Sequence, residues 1–202
     1  MAVGCYPGSF NPPTIAHLAI ARAAIDQHHL ERLDLVVSRQ ALGKDAVDRP
    51  RLEDRMDVLR AVARSHPGID VRLTDARLVA DIAEGYDLVV VGADKWHQLH
   101  DVAFYGGSAA ARDAALARLP VVAVAPRPPD EAPAELVLAL PDDHAEVSST
   151  AVRESAAHHW MAPEAADFAE RTGAWVDPER YELWLATSAW IPRGIHAEGS
   201  PE

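Results

Sequence analysis

A chain of 202 residues is one domain, or one domain with a substantial C-terminal extension. It can bury a real core, and 49% hydrophobic with 25% charged residues is a globular composition. The net charge of −12 argues against nucleic acid or an anionic membrane as the main partner, so any anion must be met by cations concentrated locally. A single cysteine, Cys5, excludes an internal disulfide. No run approaches a membrane span, and no basic segment leads into a long apolar stretch at the N-terminus, so cytoplasm is the expected compartment.

In chain order, Ala2 to Tyr6 reads as a first strand, with Cys5 expected to be a buried, inert thiol. The segment Gly8-Ser9-Phe10-Asn11-Pro12-Pro13-Thr14-Ile15-Ala16-His17 follows as a loop running into a helix over Leu18–Ile25. Backbone N–H groups in such a loop, with the positive end of a helix dipole, make a seat for phosphate. Ordinary turn chemistry with Thr14 as an N-cap is the competing reading. No Gly-Lys-Ser/Thr follows, so the loop is not a P-loop, and it lacks the dinucleotide glycine fingerprint.

Leu33–Val37 reads as a second strand. Lys44 lies in a loop before a helix over Leu52–Ala63, which carries Arg55-Met56 and an apolar face of Leu52, Met56, Leu59, Val62 and Ala63. Ile69–Leu73 is the next strand, Ala76–Glu84 a helix, and Leu88–Val91 a strand ending at Gly92-Ala93-Asp94. Ala109–Leu119 reads as a helix and Val121–Val124 as a strand. Short apolar strands alternating with helices predict an α/β, Rossmann-like doubly wound parallel sheet with helices on both faces. Ligands in such sheets bind at the carboxyl ends of the strands, where the strand order reverses. Gly8-Ser9 and Gly92-Ala93-Asp94 both fall at such ends.

Ala125–Pro133 is a rigid proline-rich connection, and Leu136–Leu140 reads as a last short strand. Ser148-Ser149-Thr150 then begins a helix, with Arg153 a turn further on. Three hydroxyls and a planar guanidinium suit a phosphate better than a plain cap, because the residue three past Thr150 is Arg153 and not the Glu or Gln of a capping box. The chain divides into an α/β domain over 1–160, a helical extension over 161–191 and a tail over 192–202 expected to be disordered. Trp160, Trp175, Trp184 and Trp190 all follow the Ser148-Ser149-Thr150 helix start, where they read as packing the extension onto the core.

Gly-Ser-Phe-Asn-Pro-Pro-Thr-x-x-His, Val-Gly-Ala-Asp and Ser-Ser-Thr-x-x-Arg, in that order, resemble the nucleotidyltransferase superfamily with the His-x-Gly-His signature. Within it the chain resembles nicotinamide or nicotinate mononucleotide adenylyltransferases most. Thr14 stands for the first signature His and Ala16 for the Gly.

The resemblance implies transfer of AMP from ATP to the 5′-phosphate of nicotinate or nicotinamide mononucleotide, releasing pyrophosphate. His17 would then stabilise charge on the α-phosphate. Thr14 would face phosphate in place of the first His. Ser9 and Phe10 would offer backbone groups, Gly92 and Asp94 would hold adenosine, and Ser148, Ser149, Thr150 and Arg153 would grip the β/γ phosphates with Lys44.

Trp96 or Tyr105 would stack on the acceptor's ring. Mg²⁺ is expected to be held mainly by substrate phosphates. No dedicated metal site is expected, although His97, His100 and Asp101 fall within one turn. ATP and a mononucleotide are the implied partners, with neither nucleic acid nor membrane, and a homo-oligomer remains compatible. The alternatives are a sister enzyme using pantetheine phosphate or a CTP-linked substrate, and a nucleotide-binding regulator without turnover.

Overall fold

The computed structural model describes residues 1–39, 49–141, 144, 146–155 and 157–188. Five parallel strands, β1 (Val3–Pro7), β2 (Arg32–Ser38), β3 (Ile69–Thr74), β4 (Leu88–Gly92) and β5 (Val121–Ala125), form one sheet in the order β3-β2-β1-β4-β5. The strand order reverses between β1 and β4, which pair through Gly4 with Leu88 and Cys5 with Val89. The expected doubly wound α/β fold is therefore present, with its switch point at β1 and β4.

Strand periodicity explains the two-sided core. Tyr6, Leu33, Leu35, Val37, Leu88, Val90 and Ala123 point to one face, against Ile20, Ala21 and Ala24 of α1 (Ile15–Gln27) and Met56 and Leu59 of α2 (Leu52–Ser65). Cys5, Val36, Val89, Val91 and Val124 point to the other, against Ala93 and Leu99 of α4 (Ala93–His100). Cys5 is buried as expected, and burial reinforced by Asp34 pushes its thiol up to about 12.

Asp34 breaks the apolar run of β2, yet it is 1% exposed. It accepts from Arg32 Nε at 2.7 Å, Tyr86 Oη at 2.9 Å and Arg72 Nε at 3.3 Å, which offsets the cost of burying a carboxylate. The helix expected over Ala76–Glu84 shortens to α3 (Val79–Ile82), and α5 spans Ala109–Leu116.

The strand expected over Leu136–Leu140 is not formed. A 3-10 turn at Ala134–Leu136 leads to a single bridge between Val137 and Val124, with Leu138 N–H donating to Val124 O at 2.8 Å. The apolar run is there to bury Leu138, which is 2% exposed, and one bridge is enough for that.

Beyond α6 (Ser149–Glu154), α7 (Pro163–Thr172) packs Ala162, Ala165 and Ala169 onto Val58 and Val62 of α2. Gly173 ends α7 at φ +83°, and Asp177 starts α8 (Pro178–Ser188) by accepting from Arg180 N–H at 3.0 Å. The tryptophans expected to pack this region do so in part. Trp175 and Trp184 each lie edge-on to Phe168, and Trp184 stacks on Tyr181. Trp190 and the tail over 192–202 lie outside the described residues. Among those residues, no helix is long and apolar enough to cross a membrane.

Candidate functional site

The loop leaving β1 is the centre of the site. Gly8 N–H still donates to Val36 O at 3.0 Å, continuing the ladder, and the chain then turns sharply. Phe10 is 1% exposed and takes a left-handed φ of +43°, unusual for a bulky residue. Its ring folds back over Gly8, where a Cβ would lie 2.8 Å from Phe10 Cζ. The motif needs glycine there because the ring occupies that space. The same ring lies edge-on to Tyr6 and to His17, at centroid distances of 5.4 and 5.1 Å.

The carbonyls of the loop are held from outside it. Ser9 O accepts from Arg55 Nη1 at 3.2 Å, Asn11 O from Arg153 Nη1, Pro12 O from Ser149 Oγ at 2.7 Å and Pro13 O from Ala162 N–H at 3.0 Å. A peptide's N–H points opposite to its C=O. Among the described residues, the amides of Ser9, Phe10 and Asn11 donate to no protein group, while Pro12 and Pro13 have none to donate. Among the tethered carbonyls, that of Ser9 has the Phe10 N–H opposite it across the same peptide, and the Ser9 and Asn11 amides add two further donors with no protein partner among the described residues, a donor set that suits an anion.

His17 is positioned by a capping box in which it replaces the usual Glu or Gln. Thr14 N–H donates to His17 Nδ1 at 3.0 Å, and Thr14 Oγ1 lies 2.7 Å from the same nitrogen. A main-chain N–H can only donate, so Nδ1 carries the lone pair and the neutral ring carries its hydrogen on Nε2. Thr14 itself is fully buried, with its hydroxyl on the imidazole. The cap thus turns the Thr14 hydroxyl toward His17, the arrangement in which Thr14 orients the imidazole.

At the neighbouring strand end, Gly92 precedes α4, and a Cβ at Gly92 would lie 2.5 Å from Asp94 Oδ1. The glycine leaves room for the carboxylate to curl back toward the sheet. Burial pushes the Tyr6 phenol well above its ordinary range, with Arg127 opposing and Asp94 adding to the rise. Asp94 and Arg127, from the ends of β4 and β5, thus act electrostatically on a ring of β1.

The remaining expected residues divide by place. Ser148 caps α6, accepting from Ala151 N–H at 3.1 Å, and Ser149 and Arg153 hold the loop carbonyls described above. Thr150 is exposed in the first turn of α6. Trp96 packs partly into the second face of the core, 4.4 Å from the His100 ring. Tyr105 donates its hydroxyl to Leu99 O at 3.0 Å. Lys44 lies outside the described residues. Among the described residues no three His, Cys, Asp or Glu side chains gather as a metal site.

Arg55, Asn11 and Trp175 belong to the site without having been assigned a role from the sequence. Arg55 is 6% exposed, its Nε has no partner, and no carboxylate pairs with it among the described residues. Burial lowers its pKa from the ordinary arginine value, and its guanidinium lies directly behind the loop, on Ser9 O. Its signal was available, since an arginine one place before Met56 lies on the apolar face of α2. Asn11 and Trp175, joined by a 2.6 Å hydrogen bond from Trp175 Nε1 to Asn11 Oδ1, are 164 residues apart, and nothing local connects them.

Fold and loop together define a doubly wound α/β protein with a donor-lined turn at its switch point. The chain belongs to the cytidylyltransferase-like family, whose model matches residues 5–155. A protein of Gloeobacter violaceus named as a probable nicotinate-nucleotide adenylyltransferase is 33% identical over 75 residues, 37% of this chain and 36% of that one. A phosphopantetheine adenylyltransferase of Desulforamulus reducens is 32% identical over 79 residues, 39% of this chain and 46% of that one. The chain thus spans less than half the length of these curated relatives.

Plasmodium falciparum nicotinic acid mononucleotide adenylyltransferase complexed with NaAD superposes with a TM-score of 0.64 at 11% identity, covering 88% of this chain and 98% of that one. The same enzyme complexed with APC gives 0.63 at 10% identity. At such identities the likeness concerns the fold.

Proposed function

We propose that this chain transfers the AMP moiety of ATP to the 5′-phosphate of nicotinate or nicotinamide mononucleotide. One observation carries the reading: an imidazole whose tautomer is set by Thr14 N–H stands beside the donor-lined loop at the switch point. An acceptor phosphate oxygen attacks the α-phosphorus of ATP, the bond from that phosphorus to the bridging oxygen breaks, and pyrophosphate leaves with the electron pair. No protein nucleophile is needed, because positioning and charge stabilisation supply the catalysis.

In this reading His17 Nε2–H donates to the α-phosphate as charge moves toward the leaving group. Amides of Ser9 to Asn11 bind phosphate oxygens, and Arg55 behind them supplies the local positive potential that a chain of net charge −12 otherwise lacks. Gly92 and Asp94 take the adenosine, with Asp94 accepting from ribose hydroxyls. Magnesium would be held mainly by the oxygens of the triphosphate and would neutralise their charge.

A second acceptor, pantetheine phosphate, is favoured by the similarity to the Desulforamulus reducens protein. Pyrophosphate release from ATP or CTP, measured with nicotinate mononucleotide, nicotinamide mononucleotide and 4′-phosphopantetheine in turn, separates the readings. Turnover with a pyridine mononucleotide supports the proposal. Turnover confined to phosphopantetheine transfers the chain to the second reading, and ATP binding without turnover on any acceptor makes it a nucleotide-binding regulator.

A further inference from the structure

The family match ends at residue 155, yet the chain beyond it reaches back into the loop. We infer that Trp175 is a positioning residue of the phosphate cradle, and that the helices α7 and α8 are working parts of that site. The inference rests on the reading of the loop as an anion cradle, and it concerns how the cradle is held.

Trp175 donates its indole N–H to Asn11 Oδ1 at 2.6 Å. An indole nitrogen can only donate, so this contact also fixes which way the Asn11 amide faces. Asn11 is 7% exposed, and Arg153 takes its main-chain oxygen, so the residue is gripped at both side chain and backbone. It lies directly between Phe10, at φ +43°, and Pro12. If Asn11 swings, its own amide and the left-handed Phe10 beside it move with it.

Trp175 is itself built into place. It has a left-handed φ of +67° in the turn after Gly173, where a Cβ would lie 2.8 Å from Asp177 O. Its ring lies edge-on to Phe168 at 5.9 Å, and Phe168 also receives Trp184 at 5.6 Å. A second route leaves the same helices. The Tyr181 hydroxyl donates to Asp54, whose neighbour Arg55 holds Ser9 O. The two routes therefore meet on either side of Phe10, a convergence that mere packing of an appended hairpin does not require.

The test uses the full chain and two readouts, the thermal midpoint and the affinity for inorganic pyrophosphate by calorimetry. Trp175→Phe keeps an aromatic ring, smaller by the pyrrole unit, and removes the N–H. It is expected to hold the thermal midpoint near that of the parent while weakening pyrophosphate binding about tenfold, the scale of one buried hydrogen bond. Asn11→Ala is expected to weaken it similarly, and the double variant to be no worse than either single one. Trp184→Phe, in the same ring cluster but without a bond to the loop, is expected to bind as the parent does.

Unchanged pyrophosphate affinity in Trp175→Phe overturns the inference, as does a loss of equal size in Trp184→Phe, or losses that multiply in the double variant. If these expectations hold but no acceptor supports turnover, the transfer reading fails and the role of Trp175 stands. A parent chain that binds neither pyrophosphate nor ATP overturns both.

Discussion

Two strand ends meet at the switch point, and they are built differently. After β4 the arrangement is local: Gly92 gives up a side chain, and the space is taken by the carboxylate of Asp94 two residues later. After β1 a pair of the same kind, Gly8 and Phe10, is joined by tethers from far along the chain. Four loop carbonyls are held by Arg55, Arg153, Ser149 and Ala162, and Asn11 by Trp175. A left-handed Phe10 costs on the order of 1–3 kcal/mol. Hydrogen bonds contribute about 0.5–1.5 kcal/mol each, so several tethers are needed before the strained turn is the stable one. A donor-lined loop without the glycines of a P-loop obtains its rigidity from its surroundings.

The largest effect is expected at His17, beside the loop that follows β1. His17→Ala should lower turnover at least about 100-fold, the scale of lost transition-state electrostatics, while the cooperative thermal transition survives. Near-normal turnover in that variant removes His17 from the mechanism. Gly8→Ala and Gly92→Ala then separate the two strand ends. At Gly8 the added methyl meets the buried Phe10 ring, so stability should fall by about 1–3 kcal/mol together with pyrophosphate affinity. At Gly92 it meets only the tip of a short side chain, so KM for ATP should rise with little change in the thermal midpoint. Equal stability losses at both positions would abolish the distinction between a tethered and a local strand end.

The same contrast accounts for what the sequence reveals. β1, β2, β4 and β5 were legible because both their faces are buried and their apolar runs have few interruptions. Gly92 and Asp94 were legible because their relation spans two residues. The sequence leaves Thr14 open between an N-cap and a phosphate contact, since both use the same residue type, and the structure shows the cap, with His17 as its partner. Ser149 and Arg153 were picked out by residue type, and the structure adds that they hold loop carbonyls. The strand expected over Leu136–Leu140 misled because a short continuous apolar run also suits a segment that buries one leucine beside an edge strand. Trp175 gave no local sign, because its partner is brought near only by the turn at Gly173.

The smallest expected effect tests the second tether route, through Tyr181. Burial, with the hydrogen bond to Asp54 adding to it, pushes this phenol up from 10.0 to about 12. The unfolded chain ionises it at its ordinary value and the folded chain does so later. Its contribution is therefore complete below about pH 10 and is lost as pH rises toward about 12. Cys5, raised from 9.0 to about 12, adds a loss of the same sign that begins lower. The thermal midpoint should accordingly decline through this alkaline range. Tyr181→Phe should start from a lower midpoint at neutral pH, because Asp54 keeps only its pairing with Arg51 at 3.0 Å, and should then decline less steeply than the parent. If the hydroxyl also steadies Arg55 behind Ser9, pyrophosphate affinity in the parent should weaken along the same curve, ahead of global unfolding. Parallel curves for parent and variant would mean that the Tyr181 phenol has no part in the alkaline loss.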